Sequence, residues 1–276
     1  MSIVKQLQRL RRAPAKIPQI ASARREFLDW PRLAVLYAGI RQLREPGELR
    51  LRGPEPSSVR IWEHGDVHNV WAIFCGGEYR VLESDALIVD VGANVGIFAM
   101  YAARRAPAAE VFCYEPVLRT FSRLKEQIAR SPFAGRIRCE SKGVAGAEGV
   151  REIAVGRGAD VATLLPTDVA DLDRTETIQV TTLEQIVAAV LTRTDRTSVS
   201  LLKLDCEGAE WEIFEAVAPA TLGAIERICI EYHVRPGYSE RWLTERLGQA
   251  GFHAHNVNRR PNQTGIVWYD RNPPSP

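Results

Sequence analysis

The segment Ile88-Val89-Asp90-Val91-Gly92-Ala93-Asn94-Val95-Gly96-Ile97-Phe98 constrains the fold more than any other part of the chain. A short apolar run, broken by glycines and resumed as a helical pattern, reads as strand, tight turn and helix, the repeating unit of a parallel sheet. The alternation continues to the C-terminus. Strands are predicted at 87–91, 110–114, 137–140, 199–204 and 225–231, with helices at 95–105, 117–130, 183–191, 209–216 and 240–249. Arg151 to Val155 and Ile178 to Thr181 read as a hairpin within the long connection. The runs 252–257 and 265–269 are close enough in sequence to finish the sheet as an antiparallel pair. A doubly wound α/β sheet of seven strands follows, over a domain spanning 86–271.

Other patterns precede it. Residues 1–55 carry helical spacing (Val4, Leu7, Leu10; Leu33, Leu36, Tyr37, Ile40) broken by Pro14, Pro18, Pro31 and Pro46, which predicts a helical N-terminal extension of short helices. Over 56–85 the pattern turns to alternation (Val59, Ile61; Val67, Val70 to Phe74; Tyr79, Val81), with Gly65-Asp66 and Gly76-Gly77 as turn signals. A small antiparallel β-hairpin region is expected there, with Trp62, Trp71 and Tyr79 mostly as core residues. The polar, proline-rich residues 272–276 read as a disordered tail.

The net charge of +2, from 36 basic and 34 acidic residues, excludes a nucleic-acid binder that relies on a whole-surface basic field. The charge is unevenly spread. Residues 1–60 hold 13 Lys/Arg against 5 Asp/Glu, a net of +8, and the rest holds 23 against 29, a net of −6. The five cysteines are odd in number and mostly set in apolar runs, as expected of free thiols in a reducing cytosol. No apolar region follows the basic stretch Lys5 to Lys16, and no run approaches the roughly 18 to 20 apolar residues of a membrane span. A cytoplasmic protein with no transmembrane segment is expected.

The glycine turn is informative for what it lacks. A dinucleotide fingerprint needs G-x-G-x-x-G, yet Asn94 and Ile97 stand at its second and third glycine positions, which argues against nicotinamide and flavin. No G-x-x-x-x-G-K-S/T loop occurs either, so a nucleoside triphosphate is unsupported. Asp90 ends the first strand, and Glu115 ends the second 25 residues later, where a carboxylate can accept both ribose hydroxyl protons. Such a site suits a ligand with a ribose and a positive group but no phosphates, as in S-adenosylmethionine. The alternative is that Gly92 and Gly96 only allow tight strand–helix packing and that Glu115-Pro116 only starts a helix. In order of elements and in these residues the chain resembles the class I S-adenosylmethionine-dependent methyltransferases.

A second motif is more specific. Leu201-Leu202-Lys203-Leu204-Asp205-Cys206-Glu207-Gly208-Ala209-Glu210 follows Thr181-Thr182-Leu183 and precedes Ile228-Cys229-Ile230-Glu231-Tyr232-His233. It resembles the K-x-D-x-E-G-x-E signature of FkbM-family methyltransferases, the likeness covering roughly Ala86 to His233. The resemblance implies a Rossmann-like, seven-stranded class I methyltransferase sheet with helices on both faces. It also implies S-adenosyl-L-methionine as cofactor and O-methylation of a sugar or secondary metabolite, a small-molecule acceptor. On the cofactor side the candidate residues are Asp90, Gly92, Asn94, Gly96, Glu115, Val144 and Asp205. Transfer to nitrogen or carbon, or a non-catalytic cofactor-binding protein, are the alternatives.

An aliphatic hydroxyl is a poor nucleophile until its proton leaves, so transfer needs in-line placement plus a base or a metal. Asp205 and His233, at the ends of strands 4 and 5, are the candidate catalytic residues. His233 has an ordinary pKa suited to a base at neutral pH, or is simply a hydrogen-bonded strand-end histidine. Asp205, Glu231 and a neighbour are an alternative set for a divalent ion. Glu207 and Glu210 are either catalytic or acids favoured at a helix N-terminus. The pairs His64/His68 and His253/His255 lack the carboxylate of H-E-x-x-H and read as ordinary surface residues. The basic extension is expected to cap the acceptor side, with a membrane surface as the other reading of Val4, Leu7 and Leu10. A homo-oligomer is compatible with the sequence.

Overall fold

The computed structural model describes residues 17–156, 162–163, 172–233, 235–260 and 264–271, without the side chains of 162–163 and 172–173. The spacing at Val4, Leu7 and Leu10 and the tail at 272–276 lie outside the described residues. The chain forms two compact units, divided between Arg80 and Val81.

The first unit holds helices α1 (Ile17–Glu26) and α2 (Trp30–Tyr37), an antiparallel hairpin of β1 (Gly47–Leu51) and β2 (Ser57–Ile61), helix α3 (His64–Val70) and a π-helical turn over Trp71–Gly76. Strand β2 follows the alternation read at Val59 and Ile61, but β1 lies within residues 1–55, where the sequence predicts short helices; Leu49 and Leu51 alternate into the core there, which corrects that expectation. The expected antiparallel region over 56–85 is corrected here, because after Ile61 the chain turns helical. The Asp66 carboxylate accepts the amides of Trp62 at 2.6 Å and Glu63 at 3.1 Å, capping a helix start that the β-prone run Val70 to Phe74 then continues. That run is apolar without alternation, a pattern that fits a buried helix as well as a strand. Trp71 and Tyr79 are buried.

The second unit is the doubly wound sheet. Its strands are β3 (Leu87–Val91), β4 (Glu110–Tyr114), β5 (Ile137–Glu140), β10 (Leu201–Leu204), β11 (Arg227–Tyr232), β12 (His253–Arg259) and β13 (Gly265–Asp270). They lie in the order β12-β13-β11-β10-β3-β4-β5. Five are parallel, while β13 runs antiparallel to β11 and β12 antiparallel to β13. The central strands β3 and β10 are buried along their whole length, which only a sheet covered on both faces requires. Helices α4 (Ile97–Arg105), α5 (Leu118–Ala129), α6 (Leu183–Thr194), α7 (Glu210–Ala216), α8 (Pro219–Gly223) and α9 (Glu240–Gly248) complete the unit.

Between β5 and α6 a smaller sheet is inserted, of β6 (Gly143–Val144), β7 (Gly149–Gly156), β8 (Ala162–Thr163) and β9 (Leu172–Thr181), in the order β6-β9-β7-β8. The predicted hairpin is its β7/β9 pair, extended at both ends. Because β10 lies beside β3 on the side away from β4, the strand order reverses between them, and in open α/β sheets the C-terminal ends at such a reversal are where ligands bind.

Candidate functional site

Three acidic residues come together at that edge. Asp90 lies within β3, Glu115 follows β4 and Asp205 follows β10, so they sit on three neighbouring strands. Asp90 is fully buried, and Lys203 from β10 reaches it, with Nζ 3.1 Å from Oδ1 and 3.8 Å from Asp205 Oδ2. Lys203 also donates to the Gly92 carbonyl at 2.8 Å. Burial would lower the Lys203 ammonium, but Asp90 and Asp205 beside it hold its pKa above the ordinary lysine range.

The turn between β3 and α4 is built by Gly92, Asn94 and Gly96, all with positive φ (73°, 50° and 87°). A Cβ on Gly92 would fall 1.7 Å from the Asp205 carbonyl oxygen, so the two loops meet there in backbone contact. Glu115 fixes the turn from the other side. One of its oxygens accepts the Asn94 amide and the other the Val117 amide, both at 3.0 Å. Burial pushes its pKa up to about 7, against the pull of those two amides. Val144 is buried in the hydrophobic cluster that also contains Tyr114 and Leu204, so its side chain packs in the core.

At the ends of β10 and β11 a second polar cluster forms around His233. Glu207 and Gly208 turn the chain in the left-handed region, at φ 52° and 103°, a conformation that costs a non-glycine residue of the order of 1 to 2 kcal/mol. Glu210, fully buried, accepts the Gly208 amide at 2.8 Å and the His233 amide at 2.5 Å, and lies 3.1 Å from His233 Nδ1. Glu207 stands 3.2 Å from Nε2. Trp211 Nε1 donates to the His233 carbonyl at 2.9 Å. Burial alone would depress His233, but Glu210, Glu207 and Asp205 together raise its pKa to about 10. That direction favours the protonated ring and works against the neutral-pH base expected from the sequence, since acidic neighbours on both ring nitrogens stabilise the charged form.

Burial likewise pushes Glu207 up to about 8 and Glu231 to about 7, although His233 and Arg260 work the other way. Glu231 is ion-paired to Arg260. Asp205, Glu231 and His233 each have a donor atom within 4.8 Å of the others', so the three could hold a divalent cation. His64 and His68 lie in α3 with their rings edge to face at 5.4 Å. The five cysteines are free thiols.

Sequence reasoning brought together Asp90, Gly92, Asn94, Gly96, Glu115 and Asp205, and it placed His233 beside Asp205. It missed Lys203, whose signal was a lysine in the middle of an apolar strand, where a charge must be paired. It missed Arg260 as the partner of Glu231. It also left open what Glu210 does, which the geometry answers as a clamp on His233. Among the described residues no helix is long and apolar enough to cross a membrane.

Comparison with known proteins accords with this geometry. Residues 90–255 match the model of the methyltransferase FkbM domain. The AMB antimetabolite synthetase AmbE of Pseudomonas aeruginosa is 29% identical over 189 residues, which cover 55% of this chain and 9% of that protein. Methyltransferase FkbM from Methylobacillus flagellatus is 17% identical, with a TM-score of 0.49, over 71% of this chain and 46% of its own. The SAM-bound magnesium protoporphyrin IX methyltransferase of Synechocystis is 12% identical, with a TM-score of 0.40, over 75% and 77% of the two chains. The chain thus spans less than half of the first two of these proteins. With a family match over more than half of its residues, on a seven-stranded sheet of class I order, the chain belongs to the FkbM family of S-adenosylmethionine-dependent methyltransferases.

Proposed function

We propose that the protein transfers a methyl group from S-adenosylmethionine to a hydroxyl of a sugar or secondary metabolite. The observation that carries this reading is the convergence of Asp90, Glu115 and Asp205 on three adjacent strand ends, around a glycine turn. Asp90, Gly92, Asn94, Gly96 and Glu115 would hold the cofactor. The buried Asp90–Lys203 pair beside the turn and the amide-held carboxylate of Glu115 support a ligand that carries a ribose. Val144, buried at the end of β6, is the remaining cofactor-side residue of this reading. Bound there, the cofactor supplies an electrophilic methyl on a positively charged sulfur.

The chain's own residues do the rest. Asp205, with Lys203 3.8 Å away, orients the acceptor hydroxyl and takes its proton. His233, held as a cation by Glu207 and Glu210, is a positioning residue that fixes the loop after β10 against the end of β11. A second reading is favoured by the approach of Asp205, Glu231 and His233 within 4.8 Å. A divalent cation there would replace the His233 proton and lower the pKa of the hydroxyl directly. The likeness to an antimetabolite synthetase supports a secondary-metabolite acceptor over a macromolecule.

Labelled S-adenosylmethionine offered with a panel of glycosides, nucleosides and polyketides tests the reading. Label recovered on an oxygen supports it. Label found only on nitrogen or carbon replaces O-methylation with transfer to that atom.

A further inference from the structure

We propose that the cavity beside His233 is the acceptor subsite, and that it is built for an acceptor joining a ring-shaped body to an anionic group, phosphate or carboxylate. This rests on the methyltransferase reading, which gives the cavity its role. The cavity, of about 450 Å³, opens between the end of β11, the start of α9 and the end of β12. That volume suits a small organic molecule and not a macromolecular segment.

Its walls differ in chemistry. The inner wall is His233, whose ring also faces Glu207 and Glu210 and comes close to Asp205 and Glu231. A molecule seated in the cavity lies against His233 at the end of β11, and His233 in turn lies beside Asp205 and Glu231. One side wall is aromatic: the half-buried Tyr238 lines it, backed by the buried Trp211 with its ring 5.2 Å away.

The rim is cationic. Arg241, Arg259 and Arg260 line it, Arg260 already paired with Glu231, and Glu240 is the acidic residue among the described lining. Arg241 pairs with Glu245 at 2.7 Å, but the two side chains are 87% and 59% exposed, so water screens the pair and an incoming anion can exchange for it. Arg259, 68% exposed, contacts Glu240 at 2.6 Å through Nε alone. Guanidinium forks match phosphate and carboxylate oxygens in pairs, and a neutral acceptor would leave both arginines on their intraprotein partners.

Calorimetry on the full chain with phenyl phosphate, benzoate, inorganic phosphate and phenyl glucoside tests the proposal, with S-adenosylhomocysteine titrated into the same samples. Phenyl phosphate or benzoate should bind about tenfold or more tighter than both inorganic phosphate and phenyl glucoside, the better of the two naming the anion. Arg241→Gln with Arg259→Gln should remove about tenfold of that affinity, and Tyr238→Ala should reduce it to that of inorganic phosphate. S-adenosylhomocysteine affinity should be the same in all these variants. Equal binding of the glucoside, or unchanged affinity in the arginine double variant, overturns the anionic acceptor. If the wild-type protein binds the aromatic anion as described but not S-adenosylhomocysteine, the site stands and the methyltransferase role falls.

Discussion

Glu210 holds His233 at two points, accepting its backbone amide at 2.5 Å and lying 3.1 Å from its Nδ1 with the same carboxylate oxygen. A residue of α7 thereby locks the end of β11, and Glu207 closes on the other ring nitrogen at 3.2 Å. The histidine sits between two acidic side chains at the junction of the two loops.

That arrangement sets a pH dependence of stability. The folded pKa of His233, about 10, lies above the ordinary value of about 6.5. Its contribution is fully present below pH ~6.5 and is lost as pH rises through about 10, because the folded state binds the extra proton in that window. Urea denaturation should give a stability that declines across this range, and in Glu210→Gln the decline should be shallower. NMR titration of the His233 ring should show its pKa falling by more than about one unit in the same variant. An unchanged titration would mean that Glu210 does not hold the proton.

The glycine turn should be unequal in its tolerance. Gly92→Ala puts a methyl 1.7 Å from the Asp205 carbonyl, a backbone atom that cannot move without shifting β10. Gly96→Ala meets the Leu124 Cδ1 at 2.7 Å, the far end of a side chain that can rotate. Both pay for a left-handed φ, so Gly96→Ala should cost about 1 to 2 kcal/mol and Gly92→Ala over about 3 kcal/mol, or fail to fold. Equal stabilities in urea would contradict the close approach of the two loops.

Much of this could be read from the sequence because the signals were local. The strand–glycine–helix unit at 87–105 and the run Leu201 to Glu210 each carry periodicity, turn chemistry and acidic positions in one stretch. What escaped was either tertiary or ambiguous. The helix at His64 to Gly76 depends on the Asp66 cap winning over β-prone residues. The raised pKa of His233 depends on carboxylates 23 and 26 positions earlier, which no spacing rule brings together. Arg260 reaches Glu231 only because β12 returns beside β13 at the sheet edge.

Chelation separates the two routes for the proton. With Asp205 as the acceptor, turnover should persist in EDTA, and Asp205→Asn should lower kcat by roughly 10² to 10⁴. Loss of turnover in EDTA with recovery on Mg²⁺ or Mn²⁺ would assign the step to a cation on Asp205, Glu231 and His233.

Glu115 should make cofactor binding depend on pH. A ribose donates to the ionised carboxylate, and burial has raised this group to about 7. S-adenosylhomocysteine should therefore bind with constant affinity well above pH 7 and more weakly as pH falls below it. Glu115→Gln, which has no proton to gain, should show a flat profile. A wild-type profile flat from pH 5 to 8 would remove Glu115 from the ribose.

Calorimetric titration of S-adenosylhomocysteine into the wild-type protein and Glu115→Ala, with both folds checked by circular dichroism, tests the central claim most directly. The expected result is one site per chain in the wild type and a loss of about 1 to 3 kcal/mol in the variant. No binding to the folded wild-type chain, or equal affinity in the two, would contradict a methyltransferase that holds its cofactor between Asp90 and Glu115.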